Sequence, residues 1–519
     1  MNVRPKICLC LTEKTIAEDL KVLDKYRRWI DIVELRVDYL TDDERLYVRN
    51  FPEQARIPCI LTIRRRIDGG LYDEGEATRT TLFARALAFA DQDVRKNFAY
   101  IDLENDFRIP CLQDASLAFG TCVIRSFYDT DFPAGDLSKK LKSMRITGYE
   151  IPKITVTPKS LAEMTLFFRQ AKEPVDFEHI YCAAGPFSAP EKLLANKLNS
   201  SIVYTYTQEF IKENPNQGLI DPVSMNEIYN FRMLDADTKV FGITGYPLNI
   251  ADSPFIHNDG YRKHGMNAVY VPIKSESIEE SLEFADEIGI KGMSISHPFK
   301  ERIMPDLNSI SSEVGDIGAC NTAVKIDDEW VGYNTDARGL YQALIEFLGV
   351  RNIAFRRVAI IGAGGAARAV AYVIKQLRGK ACIFNRTVVK AKRIAEQFGF
   401  RYAPLEPESY RLLENYSDII IQTTSVGMNV TENTKQKSLS DTFYYGMDYS
   451  AEIITTPDID PLYFYKFRGD EEVYDLIYTS ERTPILQRAE AAGCRVENGS
   501  SMLKYQGYHQ FELFTGEKY

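Results

Sequence analysis

The feature that most constrains this chain is a regular alternation. Up to about residue 206, short apolar stretches, each long enough for one strand, are separated by amphipathic ones. The strand candidates are 6–11, 32–38, 59–64, 100–105, 121–127, 151–157, 179–185 and 201–206, with helical patterns such as 76–91 and 160–171 between them. Strands that alternate with helices make parallel sheets, and eight such units predict a (β/α)8 barrel. Barrels of this kind place their chemistry at the C-terminal strand ends. Those ends carry Glu34, Arg36, Arg64, Glu104, Ser126 and Lys153. Charge at an inward position of an apolar strand is costly unless it is paired or holds a ligand. Lys153 interrupts a strand between Pro152 and Ile154. An amine held among apolar groups is expected to lose basicity, which would fit it to form a Schiff base with a ketone. The plainer alternative is a buried lysine paired to Glu34 or Glu104.

Length and composition narrow the class. A chain of 519 residues has room for roughly three domains. Hydrophobic residues at 45% and charged residues at 26% are ordinary for folded protein and exclude a disordered chain. A net charge of -10 offers no basic footprint for nucleic acid or an acidic membrane surface, so neither is expected as a partner. No apolar run approaches the ~18 residues of a membrane span. Met1–Thr12 reads as a first strand, not as a targeting peptide. Nine cysteines and five histidines are scattered without metal-ligand spacing, so no metal site is expected, and a reducing cytoplasm is the simple inference.

A loop at 207–220, a helical stretch at 223–234 and Asp235–Thr238 lead to a second alternating region, with strands at 239–244, 267–271, 291–295, 319–325 and 329–332. Three motifs there put small hydroxyl, amide or charged groups straight after an apolar strand: GYPLNIADSPFIHN (245–258), GMSISHPFKE (292–301) and GACNTAV with GYNTD (318–324 and 332–336). Each alone is explained by a polar turn with helix caps. A buried-strand run, Arg357–Ile361, then enters Gly362-Ala363-Gly364-Gly365-Ala366-Ala367 and a helix to about Leu377. Glycines in a strand–turn–helix setting let a backbone approach a pyrophosphate at the helix N-terminus. The next strand ends in Asn385-Arg386-Thr387, with Lys390 close behind. An NAD site would place a carboxylate there, whereas a guanidinium suits a 2′-phosphate, so NADP is the expected cofactor.

The motif order ELRVD (34–38), TIR (62–64), SFYD (126–129), Lys153 and PNQG (215–218) resembles type I 3-dehydroquinate dehydratase over about residues 5–220. The resemblance implies an imine between Lys153 and the substrate ketone, with Glu34, Arg36, Arg64 and Gln217 binding substrate and Asp68 at a position usually occupied by Glu. Two positions depart. Tyr128 stands where the family carries an acid/base histidine, and Ala189 stands where it carries a carboxylate-binding arginine. Arg64, Arg65 and Arg66 are placed to lower the Tyr128 pKa or to replace that arginine. A working dehydratase with altered parts and an inactive barrel both remain open.

The second region, with TTSVGM (423–428) and MLKYQGYHQFELFTG (502–516), resembles shikimate dehydrogenase over about residues 239–519. That resemblance implies a catalytic pair at Lys300 and Asp336, and substrate contacts at Ser253, Ser294, Ser296, Asn321, Tyr478 and Gln506. It implies cofactor contacts at Gly362, Ala363, Gly364, Gly365, Ala366, Asn385, Arg386, Thr387, Lys390, Thr424, Gly499 and Met502. Ala251 replaces one carboxylate-binding serine, which keeps quinate open as a substrate, and 441–470 looks inserted. Together the resemblances imply an α/β chain: barrel 1–222, linker 223–238, shikimate-binding domain 239–340, Rossmann domain 341–484 and a helical segment 485–519. Its substrates would be 3-dehydroquinate, 3-dehydroshikimate and shikimate.

Overall fold

The computed structural model describes residues 4–88, 92–130, 132, 135–248, 253–428 and 456–519. The chain forms two compact units, one of residues 1–250 and 257–291, the other of 251–256 and 292–519.

In the first unit the eight expected strands are all present: β1 (Lys6–Leu11), β2 (Ile32–Arg36), β3 (Cys59–Thr62), β4 (Tyr100–Glu104), β5 (Cys122–Asp129), β6 (Ile151–Val156), β7 (Ile180–Ala183) and β8 (Ile202–Thr205). They pair in parallel in the order β7-β6-β5-β4-β3-β2-β1-β8. The cylinder therefore has a seam between β7 and β8. It is bridged singly: Ser201 N donates to His179 O (2.9 Å), Tyr181 N to Ser200 Oγ (3.0 Å), and Ser200 Oγ to Tyr181 O (3.2 Å).

Strand side chains alternate between faces, so every second residue points into the barrel. The inward set stacks in layers. At the base Ile32, Ile60, Tyr100, Ile124, Ile151, Ile180 and Ile202 cluster, with Cys8 beside them. One step up each strand the same parity gives Glu34, Thr62, Asp102, Ser126, Lys153, Cys182 and Tyr204; one more gives Arg36, Arg64, Glu104, Tyr128, Thr155 and Tyr206. An apolar floor thus carries a polar mouth.

Strands β9 (Lys239–Gly245) and β10 (Ala268–Lys274) pair in parallel and belong to the first unit. The helix Ile278–Ile288 packs there on the barrel helix Leu161–Ala171. Phe284 meets Phe168 edge-on at 5.5 Å, and Glu287 accepts from Arg169 (2.7 Å) and Lys172 (2.6 Å). The helical stretch expected at 223–234 is shorter, a helix Pro222–Glu227 and a turn Phe231–Met233, because Asn230 takes a left-handed conformation (φ 51°) between them.

In the second unit β11 (Ile290–Ile295) and β13 (Thr322–Ile326) pair antiparallel, as do β13 and β14 (Glu329–Tyr333), while the short β12 (Ser309–Ile310) runs parallel to β14. A parallel sheet follows in the order β17-β16-β15-β18-β19-β20, from β15 (Arg357–Ile361), β16 (Lys380–Asn385), β17 (Arg401–Pro404), β18 (Ile419–Gln422), β19 (Glu472–Asp475) and β20 (Arg495–Glu497). The fold class is α/β, a barrel followed by substrate-binding and Rossmann-type domains. Ala251 and residues 441–455 of the inserted segment lie outside the described residues. The rest of that segment packs on the Rossmann core through Leu462, Tyr465 and Phe467, and Asp460 is held by Arg488 at 2.8 Å.

The helices Thr335–Leu348 and Ser500–Thr515 cross at Gly339, where a Cβ would come within 2.6 Å of Gln506 N and 2.8 Å of Met502 O. This close approach brings Gln506 to the site described below. Gly339→Ala is expected to destabilise the second unit by about 1–3 kcal/mol through overpacking. Denaturation followed at Trp330, in a chain carrying Trp29→Phe, checks it.

Candidate active sites

The barrel mouth encloses a cavity of about 260 Å³, lined among others by Glu34, Arg36, Arg64, Tyr128, Lys153, Lys192, Tyr204 and Gln217. Lys153, on β6, is buried. Its Nζ donates to Asp102 Oδ2 at 2.8 Å, stands 4.0 Å from Glu34 and lies 4.3 Å over the Tyr204 ring. The expected partner Glu104 is engaged elsewhere, accepting from Arg79 at 2.8 Å. Glu34 accepts from Thr62 Oγ1 (2.8 Å) and Cys10 Sγ (3.2 Å). Arg36 forms a two-pronged pair with Asp38 at 2.9 and 2.7 Å. Arg64 faces Glu34 at 3.9 Å and stacks on Tyr128 at 4.7 Å, and its Nε is buried without a partner.

Two expectations about basicity are corrected. Burial does push the Lys153 ammonium down, but Asp102, Tyr128, Tyr204 and Glu34 outweigh it, and its pKa lies well above the ordinary lysine value. The cause is the polar layer: β6 is apolar on either side of Lys153 in sequence, but its neighbours in space are not. Tyr128 is likewise raised, not lowered. Burial outweighs Arg64. Arg65 and Arg66 are turned away, onto Asp68 and Asp106 and onto Asp73 respectively. Asp102 is penalised by burial yet held below the usual carboxylate range by Lys153 and Arg64.

Sequence reasoning missed Asp102. Its signal was the parity of β4, where Tyr100, Asp102 and Glu104 share the inward face. It also missed Tyr204 and Tyr206, which are inward by the same rule.

In the second unit Lys300 Nζ donates to Asp336 Oδ2 at 2.5 Å. Asp336 lies in the first turn of the helix Thr335–Leu348, whose N-cap Asn334 accepts from Ala337 N at 3.0 Å. The other oxygen, Oδ1, accepts from Asn321 Nδ2 at 2.9 Å, which also reaches Thr335 Oγ1 (3.0 Å) and Gln506 Oε1 (3.4 Å). Ser294 donates to Gln510 at 2.7 Å, and Gln510 donates to Thr322 at 2.7 Å. Thr335, Thr322 and Gln510 were not foreseen. Ser253 opens the helix Ser253–Lys263, Ser296 follows β11, and Tyr478 follows β19.

The glycine turn after β15 fits a dinucleotide phosphate. Gly362 has φ 114°, and a Cβ there would meet Thr423 Oγ1 at 2.4 Å and Thr424 Cγ2 at 2.9 Å. Gly364 opens onto free space, and the helix Gly365–Gln376 begins without a side-chain cap, leaving first-turn amides beside Ala363 and Ala366 for an anion. The nearest atom to a Cβ on Gly365 would be Lys300 Cδ, at 3.9 Å. The Lys300–Asp336 pair therefore adjoins the glycine turn. Arg386, Thr387 and Lys390 are exposed after β16, where Asn385 Nδ2 donates to Thr387 O at 3.0 Å. Gly499 packs against Leu476 O at the start of the helix that carries Met502. Among the described residues no helix is long and apolar enough to cross a membrane, and no His, Cys, Asp or Glu cluster is placed to hold a metal ion.

Fold and sites define a two-part α/β enzyme: a barrel lyase module with a buried lysine, followed by a nucleotide-binding oxidoreductase module. Comparison with known proteins gives the families. Type I 3-dehydroquinase matches residues 7–235, the shikimate dehydrogenase substrate binding domain 243–323, and shikimate/quinate 5-dehydrogenase 347–459. The chain belongs to the shikimate dehydrogenase family, with a type I 3-dehydroquinase domain fused ahead of it. It is 28% identical to the bifunctional 3-dehydroquinate dehydratase/shikimate dehydrogenase of Arabidopsis thaliana, covering 94% of this chain and 78% of that one. It is 32% identical to the shikimate dehydrogenase (NADP(+)) of Pyrococcus furiosus, covering 55% and 93%. A solved shikimate dehydrogenase in complex with NADP+ is similar over 55% of this chain and 92% of its own, at 33% identity and a TM-score of 0.45.

The Lys153–Asp102 pair sets a pH window. The raised lysine adds stability below the unfolded amine value of about 10.4 and loses it as pH rises through its folded value; the lowered Asp102 adds stability above about 3.9 and loses it as pH falls through its own. Asp102→Asn is expected to cost about 3–5 kcal/mol near neutrality by leaving a buried charge unpaired. The deficit should shrink as pH rises from the unfolded amine value of about 10.4 towards the higher folded one, where the paired amine also sheds its proton. Denaturation at several pH values, followed at Trp29 in a Trp330→Phe chain, measures it.

Proposed function

We propose that the barrel dehydrates 3-dehydroquinate to 3-dehydroshikimate and that the second unit reduces this product to shikimate with NADPH. The observation that carries the reading is that each unit holds a lysine on an aspartate inside its site: Lys153 on Asp102, and Lys300 on Asp336 beside the glycine turn. In the barrel, Lys153 must release a proton before it attacks, and Asp102 at 2.8 Å is the acceptor. The neutral amine adds to the ketone carbon, the ketone oxygen leaves as water, and an imine forms. Asp102 passes the proton it took from Lys153 to that departing oxygen. The imine acidifies the adjacent carbon, whose proton passes to a carboxylate of the same layer, Asp102 or Glu34. After elimination water hydrolyses the imine, freeing the product ketone and the Lys153 amine. Tyr128, kept protonated by burial, serves as a donor to the departing hydroxyl and not as a base. Arg36, Arg64 and Gln217 bind the substrate from the rim of the cavity.

In the second unit NADPH, when bound, supplies the hydride. Lys300 delivers the proton to the ketone oxygen. Asp336, fixed by Asn321, orients that lysine and supports its charge. Ser253, Ser294, Ser296, Asn321, Tyr478 and Gln506 hold the substrate. The relatives named as NADP(+) enzymes support the cofactor, as does an exposed Arg386 with Lys390 where an NAD site would carry an acid. All nine cysteines are unpaired, which supports a cytoplasmic, reducing setting.

Borohydride added with 3-dehydroquinate should leave a covalent adduct on Lys153 and on no other lysine. In the same chain, Lys300→Ala should lower 3-dehydroshikimate reduction by ~10²-fold or more with dehydration intact. A chain without the adduct has no imine chemistry, and a near-normal reduction rate removes Lys300 from the site. Arg386→Ala should raise the KM for NADPH while changing that for NADH much less, because only the former loses a phosphate–guanidinium pair. Steady-state kinetics with each cofactor decides it.

A further inference from the structure

Resting on the dehydratase reading, we propose that Lys192 is the cation that receives the substrate's carboxylate in the barrel. A carboxylate entering this cavity needs a positive partner, and the lining supplies four: Arg36, Arg64, Lys153 and Lys192. Arg36 is satisfied by both oxygens of Asp38. Lys153 is held by Asp102 and is the nucleophile. Arg64 lies over the Tyr128 face and 3.9 Å from Glu34, and its unpartnered Nε is the donor left for the substrate binding assigned to it above. Lys192 differs. Its side chain is 5% exposed, and its closest bonds go to neutral oxygens, Ala183 O at 2.9 Å and Ser188 Oγ at 3.2 Å. Among the described residues its one carboxylate contact, Glu191 Oε2, is longer at 3.4 Å, and that oxygen also accepts from Ala183 N at 3.1 Å. A buried ammonium with mostly neutral partners is a site that gains from an anion.

Position supports the same role. Ser188 Oγ donates to Gln217 O at 3.1 Å, so Lys192 sits under the Gln217 loop at the cavity wall. Lys192 and Ala189 are three residues apart on the helix Ala189–Leu193 and so lie on one face of it. Ala189 is the position where the resemblance places an arginine. The charge missing from that position is restored one turn along.

The test compares quinate with its methyl ester as competitive inhibitors of dehydration by the full chain and by Lys192→Gln. Quinate binding should weaken on the order of tenfold or more, the usual range for one charged hydrogen bond, while the neutral ester changes by less than about twofold. A purely structural lysine would weaken both alike, and equal or absent changes overturn the assignment. Lys192→Arg, which keeps the charge, should retain most of the preference for quinate; its loss there also counts against the proposal. Denaturation followed at Trp29, in a Trp330→Phe background, reports that the barrel of each variant is folded. Should the unaltered chain neither dehydrate its substrate nor trap on Lys153, the dehydratase reading fails and takes Lys192 with it. Turnover with an unchanged quinate-to-ester ratio removes Lys192 alone.

Discussion

The barrel of the first unit depends on the two-residue repeat of a strand inside a nearly closed wall. Once β1 to β8 curve round on themselves, every second side chain has to share one narrow interior. The repeat assigns isoleucines to the floor and ionisable groups to the levels above it. Charges at such depth persist only by neutralising one another, and Asp102 with Lys153, Asp38 with Arg36 and Glu104 with Arg79 do so. The chemistry of the cavity follows from this mutual neutralisation. A lysine in such company is an ammonium that must hand its proton to a neighbour, not an amine that waits neutral among hydrocarbons.

That distinction shows where sequence was a sufficient guide and where it was not. The strands could be read directly, because each is a compact apolar run between polar stretches. The glycine turn could be placed because it joins a strand to a helix, whereas Lys300 and Asp336 were singled out only through the resemblance of whole motifs. Asp102 escaped because it lies two residues before a strand end, flanked by Ile101 and Leu103, and looks like an interruption of a core strand. The pKa of Lys153 escaped for a related reason. Neighbours along β6 are known from sequence, whereas Asp102, Tyr128 and Tyr204 come from β4, β5 and β8.

The second unit solves a different problem. Its Lys300–Asp336 pair is built from a loop and a helix start, so its position depends on how those elements are anchored. Asn321 does the anchoring: its Oδ1 accepts from Thr335 N at 2.7 Å, and its amide reaches Asp336 and Gln506. One side chain ties β13's approach, the helix carrying Asp336 and the C-terminal helix. No periodicity reveals such a junction, because its partners are 14, 15 and 185 residues away. It was legible only through the resemblance of whole motifs.

The seam between β7 and β8 has a mechanical consequence. Elsewhere the wall is a continuous ladder and resists expansion; here three isolated bonds carry the closure. The cavity lining includes Cys182 to Gly185 on one lip and Tyr204 and Tyr206 on the other, with Lys192 fastened to Ala183. The barrel therefore has a built-in expansion joint along the flank of its own cavity. One wall junction along the flank of the cavity is thus held without a strand ladder, while Lys153, on β6, lies where the wall is laddered to a neighbour on either side.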